Sequence, residues 1–168
     1  MSAMAAVAVC LHAEVPIEAI VHGLEDFAGV SRGFQSRGSY RGVTLVDDDA
    51  TGVSDIVEAI GLARSAYGCR RLWAVTAPTG LAIAETARAL AVADRVVLVG
   101  ATVDSDGWVG MLVEAGVDAR SVVDLGEAIE HLDRNIEPGD VLLTLGAGDV
   151  GTIADAFLRR LPRDHQGR

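Results

Sequence analysis

"LLTLGAGDVGTIADAF", residues 142–157, decides the fold. A continuous apolar run passes into Gly146-Ala147-Gly148-Asp149-Val150-Gly151, and then into an apolar pattern at helical spacing. A buried strand that ends in glycines and opens a helix belongs to a parallel α/β sheet. The glycine stretch also matches G-x-G-x-x-G letter for letter, which raises the question of a dinucleotide cofactor. A dinucleotide motif, however, opens the first βαβ unit and needs an acid at the end of a second strand, about 20 residues further on. Here "LPRDHQGR" (161–168) follows and has no strand pattern, so the glycines open the last helix. Their expected role is a tight turn and close backbone approach. Asp149 is expected to cap that helix or to face the cleft.

Working back from this stretch, strands and helices alternate. The patterns predict a hairpin near 33–46 with its turn at Ser39–Gly42 and its second strand at Val43–Val46. They then predict a helix over 54–67, a strand at Arg71–Val75, a helix over 81–92 and a strand at Val96–Val99. A helix near 107–115, a strand near Ser121–Val123 and a helix over 125–134 precede the strand Val141–Leu145, and a helix over 150–160 ends the series. Strands joined by single helices imply right-handed crossovers and a mainly parallel sheet covered on both faces. The expected fold is therefore α/β and Rossmann-like, with an N-terminal helical appendage. That appendage holds a helix over 3–13 and a second one from Pro16, where Ile17, Ile20, Val21, Leu24 and Phe27 recur at helical spacing.

Composition narrows the function. A chain of 168 residues is long enough for one sizeable core. Its net charge of -10 argues against nucleic acid and against an anionic membrane surface. All 14 basic residues are Arg. The absence of Lys excludes a P-loop lysine, a Schiff base and a lysine general base. Cys10 and Cys69 are expected to be buried free thiols in a reducing cytosol. The apolar N-terminus lacks a basic flank and meets Glu14 and Pro16 too soon to cross a membrane, so a cytoplasmic location is expected. His12, His22, His131 and His165 have no metal spacing, and no G-x-S-x-G is present. Trp73 is expected in the core and Trp108 at the surface.

In open parallel sheets, ligands sit at the carboxyl ends of the strands. Those ends read "VDDDATG" (46–52), "VTAPTG" (75–80), "VGATVD" (99–104) and "LGAGDVG" (145–151). Three adjacent acids could hold Mg²⁺, but successive side chains diverge. The favoured reading is that Asp47 and Asp48 order the loop while Ser54 or Asp55 caps the next helix.

These stretches, with "FAGVSRGFQSRGSYRGVTLVDD" (27–48), "RRLWAV" (70–75), "ALAVADRVVLVG" (89–100) and "PGDVLLTLGAGDV" (138–150), resemble the C-terminal domain of the bacterial Mur ligases. Residues 2–24 resemble the helical end of the family's central domain. The resemblance divides the chain into 1–28, a Rossmann-like domain over 29–162 and a tail over 163–168. It implies a ligase that joins an amino acid to a carboxylate through an acyl phosphate made from ATP, in peptidoglycan precursor synthesis. It implies substrate binding by Asp47, Asp48, Asp49, Thr51, Pro78, Thr79, Gly146, Gly148 and Asp149, with no catalytic residue and no metal ligand in this chain. ATP and Mg²⁺ would be held mainly by a central domain, so no cofactor is expected here. The expected partners are other Mur ligase domains or a cell-wall synthesis protein.

The departures from the family pattern matter as much. The family reads Asp-Asp-Tyr-Ala-His-His-Pro-Thr-Glu where this chain has Asp47-Asp48-Asp49-Ala50-Thr51-Gly52-Val53-Ser54-Asp55. It reads Gln-Pro-His-Arg-Tyr-Ser-Arg-Thr where this chain has Ala77 to Ala84, so that Gly80 and Ile83 replace arginines. Lost cations cannot stabilise phosphoryl or substrate charge. Three functions stay open: a ligase domain that is inactive alone, a non-catalytic binding or regulatory module on the same fold, and an independent nucleotide-binding enzyme.

Overall fold

The computed structural model describes residues 3–25, 33–68, 71–77, 83–100 and 105–161. The chain divides into two compact units, Met1–Val30 and Ser31–Arg168. In the first, α1 (Ala3–His12) and α2 (Ile17–Glu25) pack on one another. Cys10 is half-buried there rather than enclosed. The α1 sequence "AMAAVAVCLH" is apolar all round, and that composition alone does not say which side is covered. Cys69 and Phe27 lie outside the described residues.

The second unit is a six-stranded sheet in the order β1-β2-β6-β3-β4-β5. Its strands are β1 (Gln35–Tyr40), β2 (Val43–Asp48), β3 (Leu72–Thr76), β4 (Arg95–Val99), β5 (Asp118–Val122) and β6 (Val141–Leu145). Only β1 runs antiparallel. Arg41 and Gly42 turn the β1–β2 hairpin with positive φ at both positions. That is the twist a two-residue hairpin needs.

The helices are α3 (Val53–Tyr67), α4 (Ile83–Leu90), α5 (Ser105–Glu114), α6 (Leu125–Asn135) and α7 (Thr152–Arg159). α3, α4 and α5 pack side by side, and α6 packs on α7. Each buried strand feeds both layers. Leu72, Ala74, Val96, Leu98, Leu143 and Leu145 join the core under α3–α5. Trp73, Val75, Val97, Val99 and Leu142 join the core under α6 and α7. This two-sided burial is why β3, β4 and β6 read as unbroken apolar runs instead of alternating ones.

The order of the strands fixes where a crevice can form. The chain moves from β2 past β6 to β3, β4 and β5 through α3, α4 and α5. It then returns to the gap between β2 and β3 through α6. A right-handed return in the opposite direction requires the opposite face. β6 therefore leads to a helix on one face while its neighbours β2 and β3 lead to helices on the other. That is the topological switch point.

Two expectations change in position. β5 begins three residues earlier than the apolar pattern suggested, because Asp118–Arg120 form an edge strand with mostly exposed side chains. The final helix opens with a 3-10 turn, Asp149–Gly151, before α7 begins at Thr152.

Candidate functional site at the carboxyl edge

The loops after β2 and β6 are tied together at the switch point. The Gly146 N–H donates to the carbonyl of Asp48 at 2.9 Å. The Asp48 carboxylate accepts from Ala50 N at 2.8 Å and from Phe34 N at 2.7 Å. One acid thus pins its own loop, the start of the hairpin and the glycine turn. Burial raises the Asp48 pKa above the ordinary carboxylate value, and Asp49 and Asp47 add to the rise. The two N–H donors work against it.

Asp47 is 2 % exposed, and its Oδ1 accepts the Thr144 hydroxyl at 2.6 Å across the β2–β6 pair. It braces the sheet from inside. Asp49 and Thr51 are exposed at the rim. Gly148, at φ +95°, and Gly146, at φ +113°, hold a backbone that L side chains rarely adopt. Asp149 is exposed and caps nothing with its carboxylate: the N-cap of α7 is Gly151, and the Thr152 hydroxyl bonds to the Asp149 carbonyl at 2.5 Å. Of the two roles expected for Asp149, capping the helix is not what the structure shows, and its exposed side chain lines the depression at this edge instead. Pro78 and Thr79 lie outside the described residues.

Of the two residues expected to cap α3, it is Asp55 and not Ser54 that does so. Gly52 is the N-cap, and the Asp55 carboxylate reaches back to its N–H at 3.3 Å. Ser54 lies inside the first turn, so the glycine takes the capping place and the acid three residues on completes it.

The crevice itself is small. A cavity of about 50 Å³ lies between Ala50, Ile56, Thr76, Trp108 and Gly146. Next to it, a shallow depression of about 540 Å³ runs past Gly100, Asp124, Gly126 and Asp149. Trp108 is 3 % exposed, which corrects its expected surface position. It lies in the first turn of α5 and its indole lines the small cavity, so a helix start after "DG" turns this ring inward rather than to solvent. Thr76, Thr144 and Trp108 were not among the expected site residues. A lone threonine inside "LLTL" was the available signal for Thr144. Among the described residues no group of three His, Cys, Asp or Glu could hold a metal ion. No helix among them is long and apolar enough to cross a membrane.

Comparisons with known proteins match the sequence and the fold. The family profile for the Mur ligase glutamate ligase domain matches residues 33–148, from the hairpin to the second glycine of the turn. The UDP-N-acetylmuramate–L-alanine ligase of Desulfitobacterium hafniense is 30% identical, over 94% of this chain and 38% of its own length. That of Nitratidesulfovibrio vulgaris is 34% identical, with the same coverage. The chain therefore spans 38% of the length of these relatives. The UDP-N-acetylmuramate–alanine ligase of Thermotoga maritima shares the fold with a TM-score of 0.82, at 23% identity, over 94% of this chain and 36% of that one. A solved domain of a putative UDP-N-acetylmuramate:peptide ligase from Haemophilus ducreyi superposes with a TM-score of 0.65, at 26% identity, over 77% of this chain and 99% of that one.

Proposed function

Since the chain belongs to the Mur ligase family through its glutamate ligase domain, we propose that it is the substrate-binding C-terminal domain of a UDP-N-acetylmuramate–amino acid ligase and forms no peptide bond by itself. The observation that carries this is the junction of the β2 and β6 loops at the switch point, where the Gly146 N–H meets the Asp48 carbonyl at 2.9 Å. The junction lies inside the region matched by the family. Its rim offers Asp49, Thr51 and Asp149 to solvent, and its backbone is held by Asp48 and the two glycines.

In this reading, ligation needs a second domain to supply the lysine-bearing phosphate loop. This chain contains no Lys. ATP and Mg²⁺ would enter with that domain, in the reducing cytoplasm where such precursors are made. The process served is peptidoglycan precursor synthesis, and the partners are other Mur ligase domains.

A second reading is a non-catalytic binding or regulatory module. It is favoured by the site loops: residues 47–55 and 77–84 contain neither His nor Arg. Phosphoryl charge has no cation to meet there. Sequencing the genomic DNA upstream of the codon for Met1 separates the two. An in-frame Gly-Lys-Thr/Ser loop supports the ligase domain. A reading frame without one supports the module.

A further inference from the structure

The opposite end of the sheet holds a different collection of groups. A cavity of about 390 Å³ opens at the amino ends of β3, β4 and β5, beneath α6. Its volume falls within the usual range for small-molecule sites. Arg71, Arg95, Arg120 and Arg134 all line it, in a protein whose net charge is -10.

The four arginines are not equally occupied. Arg71 makes a two-pronged bond to the buried Asp140, at 3.1 and 2.9 Å, and reaches Glu137 at 3.4 Å. Arg95 pairs with Asp118 and lies over the Trp73 ring at 5.7 Å. Arg120 and Arg134, by contrast, approach the carboxylates of Glu127 and Glu130 only at 3.8 and 3.9 Å, on exposed side chains, and Arg134 spends only its Nε, on the Glu130 carbonyl at 3.0 Å. The two carboxylate separations are outside hydrogen-bond range, and exposed pairs of this kind contribute little. Several of the nearby acids have other partners as well. Glu127 Oε2 accepts from the N–H of Val123 at 2.9 Å, and Asp118, Glu137 and Asp140 pair with Arg95 and Arg71.

His131 lines the same cavity as the Arg120 and Arg134 guanidiniums and meets the Trp73 ring edge-on at 6.2 Å. Its pKa is lowered first by burial, then by Arg120, Arg134 and Arg95, against an opposing pull from Glu127.

We propose that this amino-edge cavity is a binding site for a small, multiply charged phosphate compound, gripped by Arg120 and Arg134 beside His131. Guanidiniums match phosphate oxygens in a fork geometry, and two of them facing one cavity suit a ligand with more than one negative charge.

The test is an NMR titration of the His131 ring in the full chain, with inorganic pyrophosphate and with ADP. A bound anion should move the His131 titration midpoint upward in a saturable way, because it favours the imidazolium. Tighter binding of pyrophosphate identifies a free anion, and tighter binding of ADP a phosphate carried on a nucleotide. Arg120→Gln/Arg134→Gln should weaken the response by about tenfold or more while leaving the circular dichroism unchanged. A single Arg120→Gln variant provides the same comparison if the double variant does not fold. No shift at about 10 mM of either compound, an equal shift with sodium chloride at matched ionic strength, or undiminished affinity in the variants would each overturn the proposal.

Discussion

At Gly148 the backbone stands at φ +95°, and a methyl group placed there would meet no atom within 4 Å. The glycine is needed for its torsion, not for space. Gly148→Ala should therefore cost about 1–3 kcal/mol through backbone strain alone, read as a lower midpoint in urea with an unchanged slope. No loss would mean that the turn relaxes. Asp140 carries a prediction with a sign. Burial would raise its pKa, but Arg71, the Glu137 N–H and the Trp73 indole overcome that and hold it below the ordinary carboxylate value. The folded pKa is thus lower than the unfolded one. Its contribution is present above the unfolded value and is lost as the pH falls through the folded value. Asp48 titrates the other way, since its folded pKa is raised. Asp140→Asn should remove about 3 kcal/mol at neutral pH and flatten the acid limb of the stability curve, measured by thermal melts across the acid range. An unchanged acid limb would show that the Arg71 pair does not govern it.

At the scale of the elements, legibility in the sequence followed burial. β3, β4 and β6 are covered on both faces, so their apolar runs were unmistakable, and the helices between them kept their spacing. β5 has one neighbour and a mostly exposed amino half, so its pattern showed only in its last residues. The two ends of α5 were placed within about two residues, yet the side on which Trp108 points was not legible. An indole at a helix start faces the core or the solvent according to the neighbouring strand, and sequence order does not contain that neighbour. The candidate site was legible as a set of strand ends. Its internal division was not: Asp47 and Asp48 are adjacent, but one is enclosed with Thr144 and the other pins three loops. That difference arises from β2 lying beside β6, a pairing of residues nearly 100 positions apart. Trp108→Ala should cost about 3–5 kcal/mol, because the crevice floor would lose its largest side chain and leave a cavity. A cost below about 0.5 kcal/mol in chemical denaturation, the ordinary range for surface substitutions, would place Trp108 outside the core.

At the scale of the whole molecule, the Gly146–Gly151 motif belongs to the last described strand–helix junction. It sits at the start of the last described helix, at the switch point, and joins the two loops that define the carboxyl edge. In the proposed function the domain presents backbone and a few rim side chains to substrate, and the phosphate chemistry would belong to a part with lysine. The most direct test of that claim is an assay of the purified chain alone with ATP, Mg²⁺, UDP-N-acetylmuramate and L-alanine, following phosphate release and the ligated product, with a full-length UDP-N-acetylmuramate–L-alanine ligase as the positive control. The account predicts neither phosphate nor product above background from the isolated chain. ATP turnover or peptide-bond formation by the chain on its own would contradict it.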